Sequence, residues 1–164
     1  MKNIFTLSLK KVLIGLVFLS LSFAVNAQNV FIPDLNFKNA LLANASINTF
    51  NDGEISVAEA NVYGGFLNVN SLGITDLTGI EEFINIDNLN CSDNQLTSLD
   101  LSGIPNLQYL YCGNNLLTSI NVSSNFSLLN LVANDNQLSS IDISNNFTLE
   151  VLFLENNILT NIDV

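Results

Sequence analysis

"LNCSDNQLTSLDLSGIPNLQY", residues 89–109, is followed at once by "LYCGNNLLTSINVSSNFSLLN", residues 110–130. The second stretch keeps the letters of the first at fixed places and changes those between. Aligned on a period of 21, Leu89, Leu110, Leu131 and Leu152 form one column, and Cys91, Cys112, Ala133 and Leu154 the next. Asn94, Asn115, Asn136 and Asn157 follow, then Leu96, Leu117, Leu138 and Leu159. Leu99, Ile120, Ile141 and Ile162, with Leu101, Val122, Ile143 and Val164, complete the fixed half. A looser copy runs through Leu67, Val69, Leu72, Ile74 and Leu77, with one extra residue before Leu89.

A fixed period of this length marks a coil of stacked supersecondary units, none of which can enclose its own apolar face. Short strands such as "NLNC" and "YLYC" stack side by side about 4.8 Å apart, so equivalent side chains form columns. Alternation along each strand turns the Leu and Cys/Ala/Leu columns inward, where each buried Leu contributes roughly 1.5–3 kcal/mol. The Asn column needs another reason. A tight bend in every turn leaves backbone donors and acceptors unpaired inside. An amide carries both kinds of group and can bridge consecutive turns. Leu72 stands in the Asn place of the first copy, so that end of the ladder is expected to differ.

The pattern L-x-x-L-x-(L/C/A)-x-x-N-x-L-x-x-(L/I)-x-(L/V/I) resembles the leucine-rich repeat family over residues 67–164. The resemblance implies an α/β solenoid: a right-handed coil with a parallel sheet on its concave face and a small helical N-terminal cap. Cys91 and Cys112 then lie in one inward column on adjacent rungs, farther apart than the roughly 3.8 Å between Cβ atoms that a disulfide prefers. They are expected to be buried free thiols.

The varying letters are the outward side of the strands. Tyr109, Tyr111, Val132, Val151 and Phe153 make an aromatic and aliphatic cluster there, bordered by Asp93, Asp135 and Glu155. Apolar groups with a charged rim on an exposed sheet are the make-up of a recognition surface. Packing of cross-strand neighbours on one another is the other reading of the same cluster.

Residues 28–66 lie outside the repeat. Pro33-Asp34 opens a helical stretch, and "VAEANVY" reads as a second short helix. Between them, "NTFNDGEISVAE" resembles a calcium loop of the EF-hand type. Asn48, Asp52, Ser56 and Glu59 fall at loop positions 1, 5, 9 and 12, and Glu54 offers its backbone oxygen. Phe50 stands at position 3 with no oxygen to give, so the resemblance implies at most a weak Ca2+ site and otherwise no cofactor. An EF-hand-like cap without metal also occurs in the internalin group of repeat proteins, and "TDLTGIEEF", Thr75–Phe83, is similar to the first repeat of that group.

Residues 1–27 read as a secretory signal. Lys2, Lys10 and Lys11 precede an apolar run from Val12 to Val25 and the small-residue ending "VNA". The run of about 14 residues is short for a membrane span, so no membrane insertion is expected once it is removed. Lys38 is then the one basic residue left against all 15 acidic ones. Such a surface repels nucleic acid and anionic lipid, which are bound through Lys and Arg. The chain has no His, which removes most nucleophile–base pairs and argues against an enzyme. Asp93 and Asp135, two rungs or roughly 10 Å apart, are a carboxylate pair with a glycosidase-like separation, and a solvated acidic face is the other reading of them. Asn-x-Ser/Thr triplets at Asn121, Asn125 and Asn146 follow from a composition rich in Asn and Ser and carry no functional weight.

The chain therefore reads as a secreted or surface-displayed scaffold that binds an extracellular protein or glycan. The alternative is a spacer, or the N-terminal arm of a larger adhesin. The last repeat stops at Asp163-Val164 with no polar cap, which reads as a fragment or as an end covered by a partner.

Overall fold

The computed structural model describes residues 28–163; the expected signal segment and Val164 lie outside them. Helices α1 (Leu35–Ala43) and α2 (Val57–Val62) precede strand β1 (Gly64–Asn68) and a 3-10 turn at Ile80–Glu82. Strands β2 (Asn85–Asn90), β3 (Tyr109–Tyr111), β4 (Asn130–Val132), β5 (Ser140–Asp142), β6 (Val151–Phe153) and β7 (Asn161–Asp163) follow. One parallel sheet runs β1-β2-β3-β4-β6, and β5 pairs with β7 in a second, two-stranded sheet. This is the solenoid that the period predicts, one main-sheet strand to each turn.

Register follows the repeat. Leu89, Leu110, Leu131 and Leu152 are Cα partners in succession across the main sheet. Leu89, Leu110 and Leu131 are fully buried, and so are Cys91, Cys112 and Ala133 beside them. Both cysteines are free thiols. Burial pushes Cys91 up to about 12 and Cys112 well above its ordinary range, so neither is a nucleophile at neutral pH.

The Asn column is a ladder of backbone bridges. Asn115 donates from Nδ2 to the carbonyls of Cys91 (3.1 Å) and Cys112 (3.1 Å) and accepts at Oδ1 from the Leu96 N–H (3.0 Å). Asn136 and Asn157 repeat the pattern one and two turns on. Asn94 serves the first turn, where its Oδ1 accepts from the Ile74 and Leu72 N–H groups. Leu72 therefore takes part through its backbone, and its side chain is exposed.

Each ladder residue, and Leu72 in the same place of the first copy, follows one with a left-handed backbone: Ser71, Asp93, Asn114, Asp135 and Asn156 have φ between 53° and 59°. Among residues other than Gly, Asn and Asp adopt that conformation most readily, which explains the Asp/Asn column before the ladder. A further column carries aspartyl turns: Asp100, Asn121 and Asp142 each accept from the N–H of the Ser two residues on.

Two features depart from the expected repeat. The first strand starts at Gly64, inside the stretch assigned to the cap. The extra residue is absorbed within the β1–β2 ladder, where Gly65 pairs with Ile86 but Phe66 pairs with Asn88, leaving Asp87 over. Gly64 and Gly65 suit that irregularity. A Cβ on Gly64 would lie 3.1 Å from the Asn85 carbonyl, and Gly65 has φ 84°. The second departure is another asparagine pair. Asn125 and Asn146 are buried, and each donates to two backbone carbonyls of the preceding turn. Their triplets are structural positions, closed to modification in the folded chain.

The cap is clamped to the first turn by Asp34. Its Oδ1 caps α1 by accepting from Phe37 N–H (2.9 Å), and its Oδ2 accepts from the N–H (2.8 Å) and hydroxyl (2.9 Å) of Thr75. Burial raises the Asp34 pKa, and these hydrogen bonds outweigh it and hold the group below its usual range. Gly79 lets the N-terminal segment pass close: a Cβ there would meet Val30, Phe31 and Ile32 atoms at 2.9 Å.

Asn115→Ala should cost about 3 kcal/mol or more, because it strands buried N–H and C=O groups in two turns. Asn157→Ala, in a half-buried rung, should cost roughly 1 kcal/mol. Urea unfolding of the two variants measures the difference, and equal losses would contradict the ladder.

Candidate functional site

The outward side of the main sheet carries two parallel rows. In one, Phe66, Asn88, Tyr109, Asn130 and Val151 are successive Cα partners; in the other, Asn68, Asn90, Tyr111, Val132 and Phe153. The structure thus brings Tyr109, Tyr111, Val132, Val151 and Phe153 together on three adjoining strands, β3, β4 and β6. Phe153 is 47% exposed, and the other four are half-buried. Phe66, 50% exposed, extends the row onto β1. It lies just outside the looser sequence copy, which begins at Leu67. An alignment carried one residue further back would have placed it opposite Asn88.

Polar groups in this face are incompletely satisfied. The Oδ1 atoms of Asn88 and Asn130, on either side of Tyr109, are buried without a hydrogen-bond partner. Asn48, Asn61, Asn125 and Asn146 have such an oxygen elsewhere in the fold, so the feature does not single out this face.

Asp93 and Asp135 stand in the left-handed turns just past β2 and β4. Asn114 Nδ2 donates to Asp93 Oδ1 (3.0 Å), and Asn156 Nδ2 donates to Asp135 Oδ1 (2.7 Å). Asp135 Oδ2 also accepts from Asn134. Both carboxylates are thereby fixed in direction at the border of the face. Glu155, beyond β6, is exposed.

Besides Phe31 (75%) and Phe50 (63%) in the cap, the exposed aromatic groups elsewhere among the described residues are Phe126 (62%) and Phe147 (91%). These two sit one period apart in the turns that precede Leu128 and Leu149, outside the strands.

The five residues of the calcium-loop reading are placed as follows. Asn48 is buried and donates to Leu42 O. Asp52 is exposed and accepts from Glu54 N–H. Glu54 pairs with Lys38, Oε2 to Nζ at 2.7 Å. Ser56 caps α2 and forms a capping box with Glu59. The Glu59 carboxylate accepts from Thr49 Oγ1 (3.1 Å) and Phe50 N–H (2.8 Å) at Oε1, and from Ser56 N–H and Oγ (both 2.9 Å) at Oε2. Four donors of the chain thus occupy both oxygens of Glu59, the carboxylate that would close the loop, while the Glu54 side chain is turned to Lys38. The residues do not fit a calcium loop. Among the described residues no three His, Cys, Asp or Glu side chains gather as a metal cluster. Ser-x-x-Glu serves both a capping box and the last positions of an EF-hand loop, and here the helix cap holds the glutamate.

With this geometry established, the comparisons are clear. Residues 84–125 match the family of leucine-rich repeats (two copies). The functional domain of InlJ from Listeria monocytogenes, described as including a cysteine ladder, has 31% identity and a TM-score of 0.69 over 85% of this chain. This similarity places the fold among the leucine-rich repeat coils of the internalin kind. An internalin, InlF, from the same organism has the same fold at 20% identity, with a TM-score of 0.65 over 82% of this chain. The chain spans 32% of the InlJ structure and 47% of the InlF structure. No curated protein shows significant similarity to it. Cys91 and Cys112 are stacked in one column, followed by Ala133 on the next rung. No helix among the described residues is long and apolar enough to cross a membrane.

Burial raises the Glu59 pKa, but hydrogen bonds from Ser56, Phe50 and Thr49 prevail and hold it below the ordinary glutamate value. The ionised form therefore stabilises the fold. That contribution is complete above about pH 4.3 and is lost as pH falls through the folded-state pKa. Glu59→Gln turns an NH2 group toward two donors and should cost roughly 2–3 kcal/mol at pH 7. Thermal unfolding should show the gap between the two proteins narrowing as pH falls below 4. Millimolar calcium should move neither melting temperature, and a calcium-dependent rise in the wild type alone would restore the metal site.

Proposed function

We propose that this internalin-like chain is an exported binding scaffold that recognises an extracellular protein through the outward face of its main sheet. The supporting observation is the row of partly exposed Tyr109, Tyr111, Val132, Val151 and Phe153 across three strands. The fold's own needs are met by other columns: the inward Leu and Cys, the Asn ladder and the left-handed turns. Nothing in the repeat demands aromatic groups here. Asp93, Asp135 and Glu155 form the polar border that such an interface needs. Catalysis is not part of the reading, since Asp93 and Asp135 are held by turn and amide contacts. Export rests on the basic and apolar pattern of residues 1–27. A metal-free cap, closed by Glu59 and by the Lys38–Glu54 pair, covers the first turn.

The test uses arrays of extracellular proteins and glycans probed with the exported chain. Tyr111→Ala with Phe153→Ala should weaken a specific partner by tenfold or more, on the order expected for aromatic anchors. Phe126→Ala with Phe147→Ala should leave it unchanged. Loss confined to the second pair moves the site to the turns. A wild type that binds nothing supports the spacer reading. The mass of the exported protein should place its N-terminus at Gln28.

A further inference from the structure

The partner's chemistry can be read from the charges beside this face. Five turns carry a left-handed residue, and Asn meets the need at positions 114 and 156 without charge. The turn therefore does not require the carboxylates at Asp93 and Asp135. They are also held in place, each by the amide of the next turn. Two rungs separate them, about 10 Å, with the Tyr111 strand between. No cation of the chain answers them: beyond residue 27 the sole basic residue is Lys38, engaged by Glu54 in the cap. Anionic occupants are excluded by the same balance, and so is a second copy of this chain, which brings a like-charged surface.

Resting on the reading that the sheet face binds a protein, we propose that the occupant is an extended segment with two basic side chains about 10 Å apart. These sit on Asp93 and Asp135, with the segment crossing Tyr111 between them. Extended polyproline geometry meets the spacing. With about 3.1 Å per residue and three residues per turn, side chains at i and i+3 point the same way roughly 9 Å apart. An Arg at either place can also lie against the Tyr111 ring. Electrostatic complementarity of this kind fixes register and suppresses wrong partners.

The chain has no Trp, so a Trp-bearing peptide reports its own binding. Three proline-rich peptides of equal length would be titrated into the exported chain, with Arg-x-x-Arg, Gln-x-x-Gln or Glu-x-x-Glu spacing. The Arg peptide should bind, more weakly as salt rises, and the other two should not. Asp93→Asn with Asp135→Asn should weaken it on the order of tenfold. Melting should change little, because Asn already occupies the equivalent turns and only one of the two amide contacts to Asp135 is lost. Asp142→Asn with Glu150→Gln removes the same charge elsewhere and should have less than about a twofold effect. Equal weakening by both pairs, equal binding of the Gln peptide, or no binding of the Arg peptide overturns the proposal. A partner lost with Tyr111→Ala and Phe153→Ala but indifferent to the Asp93 and Asp135 changes overturns it while the face reading stands. Peptide binding that survives Tyr111→Ala and Phe153→Ala refutes the face reading instead.

Discussion

Every turn of this solenoid bends too sharply for its backbone to satisfy itself, and one side-chain amide per turn repairs the deficit. Asn94, Asn115, Asn136 and Asn157 each join carbonyls of two turns and return an oxygen to an N–H of the preceding one. A buried polar group without a partner costs about 1–3 kcal/mol, and several would be stranded in each turn without the amide. The inward leucines supply the larger favourable term, yet they are interchangeable among apolar residues of similar size. The ladder position is not. It requires donor and acceptor on one short arm at one height, and it thereby fixes the period to which every other column must conform.

The first turn shows how the constraint is met where the ladder begins. Leu72 has no amide, but Asn94 reaches its N–H and that of Ile74. On the other side, Asp34 ties Thr75 to the start of α1, so the cap is bonded to the coil as well as packed on it. Glu59 does for the cap loop what the asparagines do for the turns, by gathering donors from Thr49, Phe50 and Ser56. In all three places a side chain closes a bend that the backbone alone would leave open.

The same logic explains what could be read from the sequence. Column identity is a property of the period, so the inward leucines, the paired cysteines and the Asn ladder were legible from spacing alone. So was the border between inward and outward strand positions. Phe66 was not, because it stands one residue before Leu67, where the looser copy begins, and the bulge just ahead of it ends the match there. Asn125 and Asn146 matched a surface modification triplet, and only their burial reveals two more bridges. The glutamate at 59 fitted two local patterns that share a spacing, and single-chain spacing does not decide between a cation and four N–H or O–H donors. The second sheet, β5 with β7, depends on how far the returning segments approach each other, and no letter pattern marks that.

Stacking also disciplines the charge. Equivalent residues on neighbouring rungs lie about 4.8 Å apart, a distance at which like charges repel strongly. With fifteen acids and no compensating base beyond Lys38, a repeat carrying Asp at one position in every turn would work against its own coil. The chain instead alternates. Asp93 and Asp135 are separated by Asn114, and Asp100 and Asp142 by Asn121. That doubles the spacing to about the screening length at physiological salt. In the first column the intervening Asn also donates to the carboxylate before it, so the neutral rung attracts where a charged one would repel. Asp142 and Asp163, direct partners across β5 and β7, are the exception. Both are exposed, where solvent weakens the repulsion. Alternation lets an acidic surface and an ordered stack coexist, and it leaves the remaining carboxylates at spacings set by the fold.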